Sequence, residues 1–379
     1  MKKDIGQEAL TLHRKLKGKI GVIAKMPIKN KDYLSLIYTP GVAAVSTHLA
    51  LHANETNSYT MRGNLVAVIS DGSAVLGLGN IGPEGALPVM EGKCVLFKHF
   101  AGIDAIPIVL STQDPQKIIE AIVAIAPTFG GINLEDIKAP GCFIIEKALR
   151  EKLHIPVIHD DQWGASVVVL AALINALKIV KKDISEVKII VSGAGAAGSA
   201  VVKILKTYGA VNIIACDRDG AIYPGRKNNS PHKEELASIS NPYKESGSLP
   251  DVMKNSDVFI GLSSPGIVSE KMVTSMNSKS ILFALANPIP EIMPDLALKA
   301  GAYIVGTGRS DFPNQINNAL AFPGIFKGAL DKNIKKITTE MLVNVAKNLA
   351  SAVLSPSPEK IIPSIFDKGV VDTVAEAIK

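Results

Sequence analysis

Between about residue 65 and residue 310 the chain alternates apolar runs of strand length with longer stretches of helix length. This rhythm limits the fold more than any other feature. Strands are read at 65–70, 105–110, 131–134, 156–159, 187–192, 211–216, 258–262, 280–286 and 303–306, and helices at 115–125, 142–153, 164–180 and 198–208. Strands that alternate with helices predict parallel sheets with helical crossovers, an α/β architecture. At 379 residues the chain is too long for one ordinary core, so two domains are expected. The boundary is placed where a long apolar helix begins, giving a first α/β domain over 1–161 and a doubly wound Rossmann-type domain over 162–379 that ends in helices. The first sixty residues read differently, with helices near 6–16 and 42–52 around the loop Tyr38-Thr39-Pro40-Gly41. The polar stretch 217–251 is an insertion, since strands continue on both sides; Ser230 and Pro231 open one short helix in it.

Carboxylates mark two strand ends. Glu135-Asp136 and Asp160-Asp161 each close an apolar run, about 25 residues apart with one helix between them. In a β-α-β unit the two strands run parallel, so both pairs reach the same rim of the sheet, where open α/β folds bind ligands. Oxygen-only ligands suit a hard divalent ion, Mg²⁺ or Mn²⁺. The alternative, that acids end strands because turns are solvated, stays open at this point.

The pattern G-x-G-x-x-G occurs twice, and context separates the copies. Gly193-Ala194-Gly195-Ala196-Ala197-Gly198 follows the strand 187–192, opens a helix, and is followed by a strand ending at Asp217, nineteen residues after its last glycine. That is a dinucleotide-binding unit: glycines permit the tight turn and close approach of a pyrophosphate, and the helix amino end supplies N–H groups and a positive dipole. The cofactor expected is NAD, because Asp217 would accept both ribose hydroxyls and repel a 2′-phosphate; Arg218 and Lys227 stand near enough in sequence to admit NADP. The first copy, Gly77 to Gly82, runs into Pro83 and Gly85 and is read as a backbone turn lining a pocket.

Composition narrows the partners. A hydrophobic fraction of 47% and a charged fraction of 20% exclude extensive disorder. The net charge of +6 comes from scattered lysines, with only six arginines and no aromatic-studded basic stretch, so no nucleic-acid surface is expected. Met1 to Asp4 has charge but no apolar stretch behind it, and the apolar run 165–180 is interrupted by Asn175 and Lys178, so neither a signal peptide nor a membrane span is expected. Cys94, Cys142 and Cys216 lie far apart in apolar runs and read as reduced, buried thiols of a cytoplasmic protein. His48 and His52, spaced for one helix face, lack a third ligand and read as ordinary helix residues.

Several short motifs in one fixed order resemble the malic enzymes of the short bacterial type. They are Tyr38-Thr39-Pro40-Gly41-Val42, the passage from Ser70 to Gly82, Met90-Glu91-Gly92-Lys93, Asn133-Leu134-Glu135-Asp136, His159-Asp160-Asp161-Gln162, Gly193 to Gly198, Ala286-Asn287-Pro288 and Pro313 to Asn318. The resemblance implies oxidation of malate with NAD(P)⁺ and decarboxylation to pyruvate, with Mg²⁺ or Mn²⁺. It implies Glu135, Asp136 and Asp161 as metal ligands, Lys93 as general base with Asp160 close to it, and Tyr38 as general acid. It also implies Gly193, Gly195, Ala196, Ala197, Gly198, Asp217, Arg218 and Asn287 around the coenzyme, Asn287 and Asn318 on the malate carboxylate, and a homodimer. Larger members carry an arginine after the Asp-Gly of the glycine-rich passage; this chain has Ser73-Ala74, which implies that the metal carries more of the substrate charge. Without the resemblance, each of these residues has an ordinary reading: Lys93 snorkelling from a helix, Tyr38 half-buried, Asn287 and Asn318 turning the chain. A two-domain dehydrogenase of amino acids or other 2-hydroxy acids, and a non-catalytic NAD-binding protein, remain rival readings.

Overall fold

The first sheet is built from β1 (Leu65–Ser70), β2 (Asp104–Val109), β3 (Gly131–Leu134) and β4 (Val157–His159), all parallel, in the order β2-β1-β3-β4. The second contains β5 (Lys188–Ser192), β6 (Asn212–Asp217), β7 (Gly220–Ala221), β8 (Val258–Gly261), β9 (Ile281–Ala284) and β10 (Ile304–Thr307), in the order β10-β9-β8-β5-β6-β7. Only β7 runs antiparallel to its neighbour. This is a computed structural model, and it describes residues 4–75 and 77–379. Met1, Lys2 and Lys3, whose charges entered the reading of the start, and Leu76 of the first glycine-rich passage lie outside the described residues.

In each sheet the chain lays successive strands on opposite sides of a first one: β2 and β3 flank β1, while β6 and β8 flank β5. Such a reversal leaves a crevice at the carboxyl ends of the central strands, where the outgoing connections diverge. The register places Leu134 opposite His159 and Ser192 opposite Cys216, so Glu135 lies beside Asp160 and Gly193 beside Asp217.

The alternating periodicity located the strands to within about two residues, and the helix Pro115–Ile125 starts where expected because Asp114 caps it and Pro115 suits its first position. One helix differs in a way that matters. The long apolar helix spans Asp160–Val180, not 164–180, so Asp160 and Asp161 occupy its first turn, where the helix dipole favours carboxylates. At 21 residues it is long and apolar enough by composition to cross a bilayer, as is Lys31–Leu51, but its apolar window is 83% buried in protein. Its Asn175 amide donates to the carbonyls of Ala350 and Ile361, at 2.8 and 2.9 Å, which marks a core helix of the protein. Side chains from the first sheet and its helix, Val68, Met90 and Phe97, share one apolar core with this helix and with Phe322 and Phe326 near the carboxyl end. The two sheets are therefore joined through packed side chains.

Candidate active site

The carboxyl rim of the first sheet gathers acids around one lysine. Lys93 belongs to the inward stripe Met90, Lys93, Cys94, Phe97 of the helix Gly82–Ala101, and is only 8% exposed. Its ammonium lies 2.6 Å from Asp160 Oδ2 and 2.8 Å from Glu135 Oε1, and sits over the Phe322 ring at 4.2 Å from the centroid. Burial alone would lower its pKa, yet the charges of Asp160 and Glu135 outweigh burial and hold the ammonium well above its ordinary value. Burial likewise pushes Asp160 up to about 7, against the pull of Lys93.

Asp160 Oδ2 also accepts from Asn318 Nδ2 at 2.5 Å, while its Oδ1 is buried without a hydrogen-bond partner. Oxygen atoms of Glu135, Asp136 and Asp161 all lie within 4.8 Å of one another. Burial raises the pKa of both Glu135 and Asp161. Two carboxylates thus hold the ammonium, and two more stand beside them. A cation would neutralise the remaining charge, and all the donors are hard oxygens, so these residues fit Mg²⁺ or Mn²⁺. Among the described residues, this trio is the only group of three or more acids, histidines or cysteines with such spacing. His48 instead stacks on His52 and lies 2.8 Å from Glu55, in keeping with an ordinary helix role.

Asp136 and Asp161 of this trio open on a cleft of about 510 Å³. Its walls carry Asp136 and Asp161 from the first sheet, Gly195, Ala196 and Ala197 from the nucleotide turn, and Asn287 and Asn318 from later loops. The turn fits a pyrophosphate. Gly193 adopts φ +116° and a Cβ at Gly198 would lie 1.8 Å from the Gly193 carbonyl, whereas nothing stands within 4 Å of a Cβ at Gly195, leaving that side open. The other glycine copy behaves as a backbone turn: Gly77 lines the same cleft, with φ +77° and room for a Cβ closed by the Asn287 carbonyl at 2.3 Å. At the position after Asp71-Gly72, Ser73 donates to Asp71 Oδ1 and accepts from the Lys138 N–H. Lys138 itself lines the cleft and, among the described residues, is its only cationic lining residue.

Two residues proposed for the site lie elsewhere. Tyr38 ends the helix Lys31–Ile37, is 67% exposed, and is not among the residues lining the cleft. Arg218 is 93% exposed and faces Asp219 at 3.8 Å, pointing its charge away from Asp217. Asp217 is instead held by Arg226, through both guanidinium Nη atoms at 2.9 and 2.5 Å, and by Lys233 at 2.6 Å.

Sequence reading missed two buried acids that support the site. Glu146, in the helix Gly141–Lys152, accepts from the His159 N–H, the Gln162 amide and the Trp163 indole at 2.9 to 3.1 Å, which fixes the turn that carries Asp160 and Asp161. Burial pushes Glu146 up to about 7 although these donors pull it down. Glu291 accepts from the Ser263 and Ala286 N–H groups and so ties together the loops after β8 and β9 that border the coenzyme side of the cleft. The available signals were an acid on the apolar face of Cys142, Ile145 and Leu149, and an acid within the apolar run Ile289 to Met293. Their partners lie on other elements, which periodicity does not reveal.

Comparison with known proteins places these features in a family. The profile described as "Malic enzyme, N-terminal domain" matches residues 17–117, and that described as "Malic enzyme, NAD binding domain" matches residues 163–378. The bifunctional malic/malolactic enzyme of Bacillus subtilis is 52% identical over 375 residues, covering 98% of this chain and 92% of that protein. The NAD-dependent malic enzyme of Geobacillus stearothermophilus is 53% identical over 363 residues, covering 95% and 76%. The crystal structure of a NAD-dependent malic enzyme from Thermotoga maritima superposes with a TM-score of 0.95 at 51% identity, covering 98% of each chain.

Proposed function

The chain belongs to the malic enzyme family, and from that premise we propose how its own residues carry out the oxidative decarboxylation of malate to pyruvate and CO₂ with reduction of NAD(P)⁺. The observation that carries the assignment of roles is a cleft lined by the nucleotide turn, two amides, Asp136 and Asp161, with Lys93 buried behind it on Glu135 and Asp160. Glu135, Asp136 and Asp161 hold a divalent cation, Mg²⁺ or Mn²⁺. When bound, that cation polarises substrate oxygens and stabilises negative charge at the carbon 2 oxygen during loss of CO₂. Gly193, Gly195, Ala196, Ala197 and Gly198 seat the pyrophosphate of the coenzyme, which accepts the hydride.

Lys93 takes the proton from the carbon 2 hydroxyl. Its ammonium is kept charged by Glu135 and Asp160, so engagement of the Glu135 charge removes part of that support and lets burial lower the lysine toward the range of a base. Asp160 holds Lys93 in place, and its bond to Asn318 links the base to an amide that lines the cleft. Asn287 and Asn318 bind the malate carboxylate, and Asn287 also borders the nicotinamide side. Lys138 supplies the nearby positive charge that Ser73-Ala74 lacks. Tyr38 returns the proton to carbon 3 of the enolate.

Tyr38 reaches a cleft by way of a homodimer. The segment over residues 4–60 exposes Ile5, Leu10, Val22, Ile23, Leu36 and Leu51, each more than two-thirds accessible, an apolar surface that soluble monomers rarely leave open. A second copy covering this face explains why the tyrosine is distant from its own cleft. The division at residues 161 and 162 separates the unit that carries metal and base from the unit that carries the coenzyme. The free, buried thiols of Cys94, Cys142 and Cys216 support a reducing, cytoplasmic setting, with neither membrane nor nucleic acid as partner.

The test is a steady-state assay of malate with NAD⁺ and with NADP⁺, in the presence and absence of Mn²⁺, with pyruvate measured directly. Metal-independent oxidation, or oxidation without pyruvate, would remove the assignment. Mixing Lys93→Ala with Tyr38→Phe protein tests the shared site: restored turnover supports a tyrosine donated across the dimer, and no restoration with confirmed subunit exchange excludes it.

A further inference from the structure

Asp217 stands at the end of β6, level with Gly193, which donates its N–H to the Cys216 carbonyl at 2.8 Å. In a Rossmann unit this is where an acid accepts the ribose hydroxyls of NAD. A carboxylate offers about four acceptor positions. Here all four are taken: Oδ1 by Arg226 Nη1 and the Asp219 N–H, both at 2.9 Å, and Oδ2 by Arg226 Nη2 and Lys233 Nζ. Asp217 therefore serves as an anchor for two cations, whose charges outnumber its own.

The insertion that supplies those cations is tied to the nucleotide turn. Lys233 lies on the helix Pro231–Ile239, whose His232 Nε2 is 2.8 Å from Ser199 Oγ in the first turn of the nucleotide-binding helix, and whose His232 ring stacks on Phe143 at 4.1 Å. Arg226 spends its Nε on Asn229 and its Nη1 on Asp217 and the carbonyls of Gly220 and Ala221, leaving one Nη2 hydrogen unused. Lys233 is 28% exposed and spends one of three donors on Asp217. Two unused donors on Lys233 and one on Arg226 thus remain beside the position of the ribose 2′-oxygen.

We propose that Lys233, with Arg226 behind it and both anchored by Asp217, forms a receptor for the 2′-phosphate of NADP, so that this chain binds the phosphorylated coenzyme at least as well as NAD. The proposal rests on the coenzyme site placed at the Gly193–Gly198 turn. It reverses the expectation that Asp217 repels the 2′-phosphate, because the charge of that carboxylate is already more than matched.

Direct binding, independent of turnover, decides it. Calorimetric titration of the full chain with 2′,5′-ADP and with 5′-ADP compares ligands that differ by the 2′-phosphate alone. The wild type is expected to bind 2′,5′-ADP about tenfold more tightly, the difference made by a charge-assisted contact. Lys233→Ala should reduce that ratio by about tenfold while 5′-ADP affinity stays within about twofold, and Lys233→Arg should restore it. A wild type that prefers 5′-ADP, or a Lys233→Ala protein with an unchanged ratio, overturns the proposal alone. Failure of both ligands to bind overturns the coenzyme-site reading and this proposal with it.

Discussion

Acids close strands on both sheets, but the two rims treat them in opposite ways. On the first, Glu135 and Asp160 share a single ammonium with Asp136 and Asp161 close by, and burial drives the pKa values of Glu135, Asp160 and Asp161 upward. On the second, Asp217 alone holds Arg226 and Lys233; burial works against its charge, but those donors hold it well below the ordinary carboxylate value. The residue type is the same, and what differs is the balance of charge around it. A rim short of positive charge recruits a cation; a rim with positive charge to spare receives an anion.

The largest effect tests the first rim. Alanine in place of Glu135, Asp136 or Asp161 should lower kcat by about a thousandfold or more while NAD⁺ still binds, because the cluster and the pyrophosphate turn are carried by different sheets. Measuring Mn²⁺ and NAD⁺ affinities separately checks this. Simultaneous loss of both would erase the contrast between the rims and mark the acids as structural.

Next in size is the division of proton transfers. Lys93→Ala should suppress malate oxidation and oxaloacetate reduction by about 10² to 10⁴-fold, since both move the proton on the carbon 2 oxygen. Tyr38→Phe should slow enolpyruvate ketonisation more than oxaloacetate reduction. Equal losses for the tyrosine variant in the two partial reactions would show the pair acting as one unit.

Glu146 sharpens the comparison from beneath the first rim. Glu146→Ala leaves the His159 N–H and the Trp163 indole without their acceptor, so stability should fall by about 1–3 kcal/mol in chemical denaturation. Mn²⁺ affinity should fall by about 10- to 100-fold, as when the groups that orient metal ligands are removed. Unchanged Mn²⁺ affinity at reduced stability would confine Glu146 to the fold.

The smallest effect belongs to the second rim. Asp217→Asn should cost roughly 1–2 kcal/mol at neutral pH through weakened charge-assisted bonds. The sign of its pH dependence follows from a depressed pKa: the stabilisation is present above the ordinary value of 3.8 and is lost as pH falls below it. The gap between wild type and variant should therefore close toward acid. A gap that widened there would mean that Asp217 is not held as an anion.

Much was legible without coordinates, because local chemistry repeats with the period of the backbone. Strand and helix alternation, the turn at Gly193–Gly198 and the acid pairs of the first rim depend on residues close together in the chain. Even the short helix of the insertion followed from Ser230 and Pro231, whose cap and fixed φ act within one turn. Tertiary structure decided which charges meet. The Phe322 ring covers Lys93 from 229 positions away, Asn318 reaches Asp160 from 158, and Glu146 sets the start of a helix that begins four residues before the 164 expected from the sequence. Arg226 and Lys233 reach Asp217 only because the insertion folds back over the strand end, while Arg218, adjacent in sequence, turns to solvent. Sequence by itself determined the elements and the residue types at their ends; packing determined the neighbours of each charge, because electrostatic energy depends on distances in space that the order of residues does not set.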